Sequence, residues 1–108
     1  MSHYMLQVSY TSDAWKKLLE TQEDRTKPIS QTIEKLGGRL LNTWFTFGDY
    51  DLVVIFQMPS NVSAAAFAIA AAAGGAVSTV KTTPLMETSE GLAALKQAAA
   101  SGYRPPGK

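Results

Sequence analysis

Asp51, His3 and Trp44 are the residues whose types and positions could do chemistry. Two runs rich in β-branched and aromatic residues flank Gly48-Asp49, and a two-residue Gly-Asp loop between such runs signals a β-hairpin in which Phe47 faces Tyr50, Phe45 faces Leu52 and Trp44 faces Val53. In that hairpin Asp51 faces Thr46 and lies near Trp44. A carboxylate held against aromatic surface loses hydration, its pKa rises, and it becomes a usable general acid or base. The competing reading of Asp51 is a carboxylate that hydrogen-bonds across the sheet or stands in water at the rim. His3 is the single histidine and can act as a base near neutral pH, or is a solvated residue near the chain start. Trp44 with Asn42 offers a flat apolar wall beside an amide, which suits a planar organic ligand. As an interface anchor, Trp44 needs no ligand at all. Lys81 can attract an anionic group or simply be solvated.

Other chemistries lack the residues they need. Without cysteine, and with one histidine, the chain has no set of soft or imidazole ligands for a transition metal, and neither a metal nor a cofactor is expected. No serine sits in a nucleophile-elbow pattern. The pairs Gly37-Gly38 and Gly74-Gly75 read as helix terminators rather than as a phosphate-cradling loop. A formal net charge of +1 gives no electrostatic reason to expect nucleic acid or an anionic membrane surface as partner. The small-apolar stretch 64–73 is far below the ~20 residues that span a bilayer, so the expected compartment is cytoplasmic. The 108 residues suffice for one domain with one core, with 4–100 as its body and 101–108 as a loose tail.

The elements that must position these residues follow from periodicity. Tyr4–Tyr10 alternates as a strand, with Tyr4, Leu6, Val8 and Tyr10 on one side and His3, Met5, Gln7 and Ser9 on the other. Thr11-Ser12-Asp13 supplies helix-capping oxygens, and Trp15, Leu18 and Leu19 form an apolar stripe behind them. A break is expected at Pro28, then a helical piece burying Ile29, Ile33 and Leu36 until Gly37-Gly38. After the hairpin over 39–58, Pro59-Ser60-Asn61 caps an alanine-rich helix from Val62 to about Ala73. Ala76–Thr83 reads as a fourth strand ending before Pro84. Glu87 to about Ala100 reads as a further helix, amphipathic through Leu92, Leu95 and Ala99, with Thr88 or Ser89 as its cap.

The resulting β-α-β-β-α-β order belongs to the α+β ferredoxin-like arrangement: a four-stranded antiparallel sheet with helices on one face, plus a C-terminal helix. Thr43, Phe45, Phe47, Tyr50, Leu52, Val54 and Phe56 share the hairpin face expected to pack under the helices. Asn42, Trp44, Thr46, Asp51, Val53, Ile55 and Gln57 share the other, mixed face. Joined by Met5 and Gln7, that mixed face is left uncovered in a monomer, and an apolar patch of that kind marks an interaction surface. The expectation is a homodimer closing sheet on sheet, or a higher oligomer of such dimers.

Leu36-Gly37-Gly38-Arg39-Leu40, Phe47-Gly48-Asp49-Tyr50-Asp51-Leu52-Val53-Val54 and Thr82-Thr83-Pro84-Leu85 together resemble the GYD-domain family. The Gly-Asp-Tyr that names the family stands at Gly48-Asp49-Tyr50, and the likeness runs from about Tyr4 to Ala100. The resemblance implies a small bacterial or archaeal protein with the ferredoxin-like fold of the dimeric α/β-barrel kind. It carries no catalytic residues over, because the family has no general activity attached to it. Related dimeric barrels include cofactor-free monooxygenases, lactone isomerases, haem enzymes and ligand sensors, so fold analogy alone selects no function. From the residues, Gly48 and Asp49 suit a tight loop and Tyr50 falls on the helix-facing side, which is a structural use of the motif.

Three functions stand against one another at this point. The first is a homo-oligomeric small-molecule-binding or regulatory module, its cavity lined by Met5, Gln7, Asn42, Trp44, Thr46, Asp51, Val53 and Ile55. The second is a cofactor-free oxygenase or isomerase acting on a planar organic substrate, with Trp44 and Asn42 orienting it and Asp51 or His3 moving a proton. The third is an assembly protein whose mixed face is consumed by oligomerisation.

Overall fold

A computed structural model describes residues 1–107. Its elements are β1 (Ser2–Tyr10), α1 (Ser12–Thr21), α2 (Thr26–Lys35), β2 (Arg39–Phe45), β3 (Leu52–Met58), α3 (Asn61–Ala73), β4 (Val77–Leu85) and α4 (Thr88–Ala99). The four strands form one antiparallel sheet in the order β2-β3-β1-β4. This is the ferredoxin-like α+β arrangement, with both repeats of strand, helix and strand folded onto the same face.

The core sits between that face and the helices. Tyr4, Leu6 and Val8 of β1 and Leu52, Val54, Phe56 and Met58 of β3 point into it, as period-two alternation requires. Ile33 of α2 and Ala64 and Phe67 of α3 close it from above. Phe56 stacks on Tyr4 at 5.7 Å between ring centroids and meets Phe67 edge-on at 5.2 Å. The Tyr4 hydroxyl, carried to the edge of this cluster, donates to Asn61 Oδ1 at 2.6 Å and so ties β1 to the start of α3.

The caps form where the side-chain oxygens allow. Thr11 Oγ1 accepts the Ala14 amide at 3.1 Å, and the Ser60 side chain accepts the Ser63 amide at 3.3 Å. The break between α1 and α2 lies earlier than expected, at Gln22, which adopts a left-handed φ of 51° as the C-cap of α1. Pro28 instead sits in the first turn of α2, where helix amides have no partner to lose. Ile29, Ile33 and Leu36 face inward as expected. In α1 the buried residue is Ala14, while Leu19 remains 72% exposed. Gly38 has no room for a side chain, since a methyl group there would overlap the Gln57 carbonyl oxygen and the Met58 sulfur.

The hairpin keeps the expected register where it is paired, with Phe45 opposite Leu52 and Trp44 opposite Val53. Beyond that the connection is longer than a two-residue loop. The ladder ends at Phe45 and Leu52, and residues 46–51 cross over as irregular chain. There the Thr46 amide donates to the Asp51 carbonyl at 2.9 Å, and its hydroxyl donates to the Tyr50 carbonyl at 2.6 Å. Phe47 is therefore fully exposed and Phe45 is 67% exposed, so the packed part of the hairpin face stops at Leu52. A bulge at Leu41 shifts the other end of the pairing.

The second half departs from expectation in two places. Strand β4 continues through Pro84, which pairs with Tyr4; as an edge strand it tolerates a residue without an amide. Helix α4 is capped by Glu87, whose carboxylate and that of Glu90 form a reciprocal capping box, rather than by Thr88 or Ser89. No residue of α4 is buried, and Leu92 and Leu95 are 55% and 67% exposed. The chain measures 58 × 33 × 21 Å with a radius of gyration of 17.3 Å. A compact chain of this length has about 13 Å. Within one subunit α4 is an unpacked arm.

Candidate functional site

The face of the sheet that the first three helices leave bare carries its residues in transverse rows. Strand pairing aligns Trp44, Val53, Gln7 and Lys81 in one row, and Asn42, Ile55, Met5 and Thr83 in the next. With strands about 4.8 Å apart, each row spans roughly 14 Å. Trp44, on the edge strand β2, is 53% exposed, and Met5, Gln7, Val53 and Ile55 are half-buried. Six of the eight expected lining residues, Met5, Gln7, Asn42, Trp44, Val53 and Ile55, lie in these two rows, while Thr46 lies beyond the ladder in the 46–51 connection.

Asp51 behaves differently. Its Oδ2 accepts the Tyr10 amide at 2.8 Å, and its own amide donates to the Val8 carbonyl at 2.8 Å. The carboxylate substitutes for a strand partner where the β1–β3 ladder ends, which is the structural one of its two readings. His3 pairs with Gln57 at the opposite end of the sheet, with their side-chain nitrogens 3.4 Å apart. Gln57 lies six residues along the chain from Asp51, which directly precedes β3, roughly 20 Å of extended chain, so within one subunit His3 and Asp51 form no acid–base pair. Among the described residues no three His, Cys, Asp or Glu side chains converge as metal ligands. Among the described residues no helix is long and apolar enough to cross a membrane.

The helix-covered face holds a second feature that the sequence reading missed. A partly open cleft of about 380 Å³ runs between α1 and α2 on one side and α3 on the other. Leu6, Val8, Leu52 and Val54 form its floor, Leu18, Ile29 and Thr32 one wall, and Phe67, Ala70 and Ala71 the other. The cause is residue volume. Past Phe67, α3 presents only alanines and then Gly74 to the sheet, so the helix fills little of the space it covers. The signal was present in the alanine run 64–73, which fits close packing and an unfilled gap equally well.

Tyr10 closes one end of this cleft, with Lys17, Glu23 and Arg25 at the margin. The Trp15 ring meets Tyr10 edge-on at 5.2 Å. Burial pushes the Tyr10 phenol above its ordinary pKa; the Arg25 charge opposes the shift, and Asp51 and Glu23 add to it. Arg25 Nη1 lies 3.3 Å from Glu23 Oε2 in an exposed pair of little energetic weight.

The GYD domain profile matches residues 4–95, which include the sheet apart from Ser2 and His3 and the helices α1, α2 and α3. The chain belongs to the GYD-domain family. No curated protein sequence matches it. Among solved structures, the GYD domain superposes on the crystal structure of MtbAldR with a TM-score of 0.58 at 16% identity, over 80% of this chain and 53% of that one. At that identity the likeness concerns the fold, and the chain spans about half the length of MtbAldR. The family's Gly48-Asp49-Tyr50 lies in the 46–51 connection, where the Asp49 carbonyl accepts the Ser9 hydroxyl at 2.9 Å and Tyr50 supplies the carbonyl that Thr46 binds. In this GYD domain the motif fastens the hairpin end to β1.

Proposed function

We propose that this GYD-domain protein is a homo-oligomeric small-molecule-binding or regulatory module whose subunits face each other through the bare side of the sheet. The observation that carries the reading is the pair of transverse rows, in which Trp44, Val53, Ile55 and Met5 stay accessible beside the amides of Asn42 and Gln7. A monomer has no helix to cover them, and apolar surface of this kind is stabilised by removal from water. A twofold axis through the sheet provides that cover with one surface used twice. The polar members of the rows give the enclosed space its selectivity. Trp44 supplies a flat wall for a planar organic ring, and Gln7 and Asn42 supply donors and acceptors for its substituents.

Sedimentation velocity on the wild type and on Trp44→Ala tests the reading. The wild type is expected to run as a dimer or a multiple of dimers, and the variant to dissociate at protein concentrations at least tenfold higher. An assembly of unchanged affinity in Trp44→Ala would remove the sheet face from the interface.

A further inference from the structure

The cleft lies between the helices and the sheet, on the opposite face from the one just discussed. We infer that this cleft binds a small amphipathic carboxylic acid, with its apolar body against Leu6, Val8 and Phe67 and its carboxylate at Lys17 and Arg25.

Size, lining and charge converge on that class. At about 380 Å³ the cleft falls within the ~300–1,000 Å³ range of small-molecule sites. Its floor is wholly aliphatic, and water held there finds few hydrogen-bond partners, so an apolar group displaces it favourably. The charged side chains of the lining are Lys17, Glu23 and Arg25, and the charges of Arg25 and Glu23 act on Tyr10. Lys17 and Arg25 carry two positive charges against the single carboxylate of Glu23, so the margin is net cationic. Glu23 is paired to Arg25, whereas among the described residues Lys17 has no carboxylate within ion-pair distance. The Tyr10 phenol also lines the cleft and can donate to an anionic oxygen. An apolar channel ending in two cations and a phenol matches a ligand with a hydrocarbon body and one anionic head. A neutral ligand would leave Lys17 unused, and a dianion would exceed the net charge of the margin.

The two tryptophans make the test specific to this face. Trp15 packs on Tyr10 at the cleft, and Trp44 stands on the other side of the sheet. In a Trp44→Phe background the indole fluorescence therefore reports the cleft alone. Titration with decanoate is expected to change Trp15 emission saturably. Ala71→Leu, which places a larger side chain in the cleft, is expected to weaken that binding roughly tenfold or more. Lys17→Gln with Arg25→Gln, both on exposed positions that burial does not constrain, is expected to weaken decanoate while leaving decanol unchanged. Circular dichroism confirms that each variant is folded. Absence of a saturable response at roughly millimolar decanoate would overturn the assignment. So would undiminished binding in folded Ala71→Leu, and equal binding of decanoate and decanol by the wild type would overturn the carboxylate part of it.

Discussion

The Asp51 carboxylate accepts the Tyr10 backbone amide at 2.8 Å and thereby ends the β1–β3 ladder with a side chain in place of a strand. A residue singled out as an acid or base is thus engaged in holding the last residue of β1, next to the phenol that closes the helix-side cleft. Replacing Asp51 with Ala leaves a part-buried amide without its acceptor, and the expected loss is about 1–2 kcal/mol. Asp51→Asn keeps an acceptor oxygen and is expected to cost less. Urea denaturation of the two variants checks the order; equal stability of wild type and Asp51→Ala would show that the bond contributes nothing.

Tyr10 gives the fold a signature at high pH. Its folded pKa lies above the ordinary phenol value of 10.0 because burial disfavours the phenolate. The unfolded chain therefore releases the proton first, binds fewer protons than the native state, and stability falls as pH rises through 10 until the folded phenol also ionises. In Tyr10→Phe this part of the decline is expected to vanish. Unfolding free energies of both proteins at pH 8 to 11 decide it, and parallel curves would contradict the burial of the phenol.

Among the glycines, Gly38 is the one whose surroundings leave least room for a side chain. Gly38→Ala forces a methyl against the Gln57 carbonyl and the Met58 sulfur, and neither backbone nor buried Met58 can yield freely. The expected destabilisation is about 2 kcal/mol or more, read as a shift in the denaturation midpoint. A neutral substitution would mean that the α2–β2 turn is looser than described.

Helix α4 buries nothing within the subunit, so removing residues 88–108 is expected to leave the sheet and its helices folded. Far-UV circular dichroism should lose one helix's contribution, with a melting temperature within a few degrees of the parent, as for loss of an unpacked terminus. Unfolding of the truncated chain would show that the arm is integral to the domain.

Much of this architecture was legible because local rules and tertiary packing agree. Alternation in Tyr4–Tyr10 and in Leu52–Met58 fixed which residues enter the core, and Thr11 and Ser60 announced their helices. The failures share one cause: a pattern states that a face is apolar, not what covers it. Phe45 and Phe47 continue the apolar face of the hairpin, yet no helix reaches them. Leu92 and Leu95 have helical spacing with no partner in their own chain. Pro84 signals a strand end in the sequence, but its missing amide matters only if the strand has neighbours on both sides, and β4 is an edge strand. The sheet-face residues were found because alternation is a two-sided signal. The cleft escaped because it is made by side chains that are small, and absence of volume leaves no periodic mark.

Native mass spectrometry of the protein as purified tests the central claim most directly, because it reports subunit number and retained ligand together. Two subunits, or a multiple of two, carrying additional mass per dimer is the predicted result. A ligand-free monomer that persists at rising protein concentration would contradict it, leaving Trp44, Val53 and Ile55 as ordinary solvent-facing residues of a single-subunit protein.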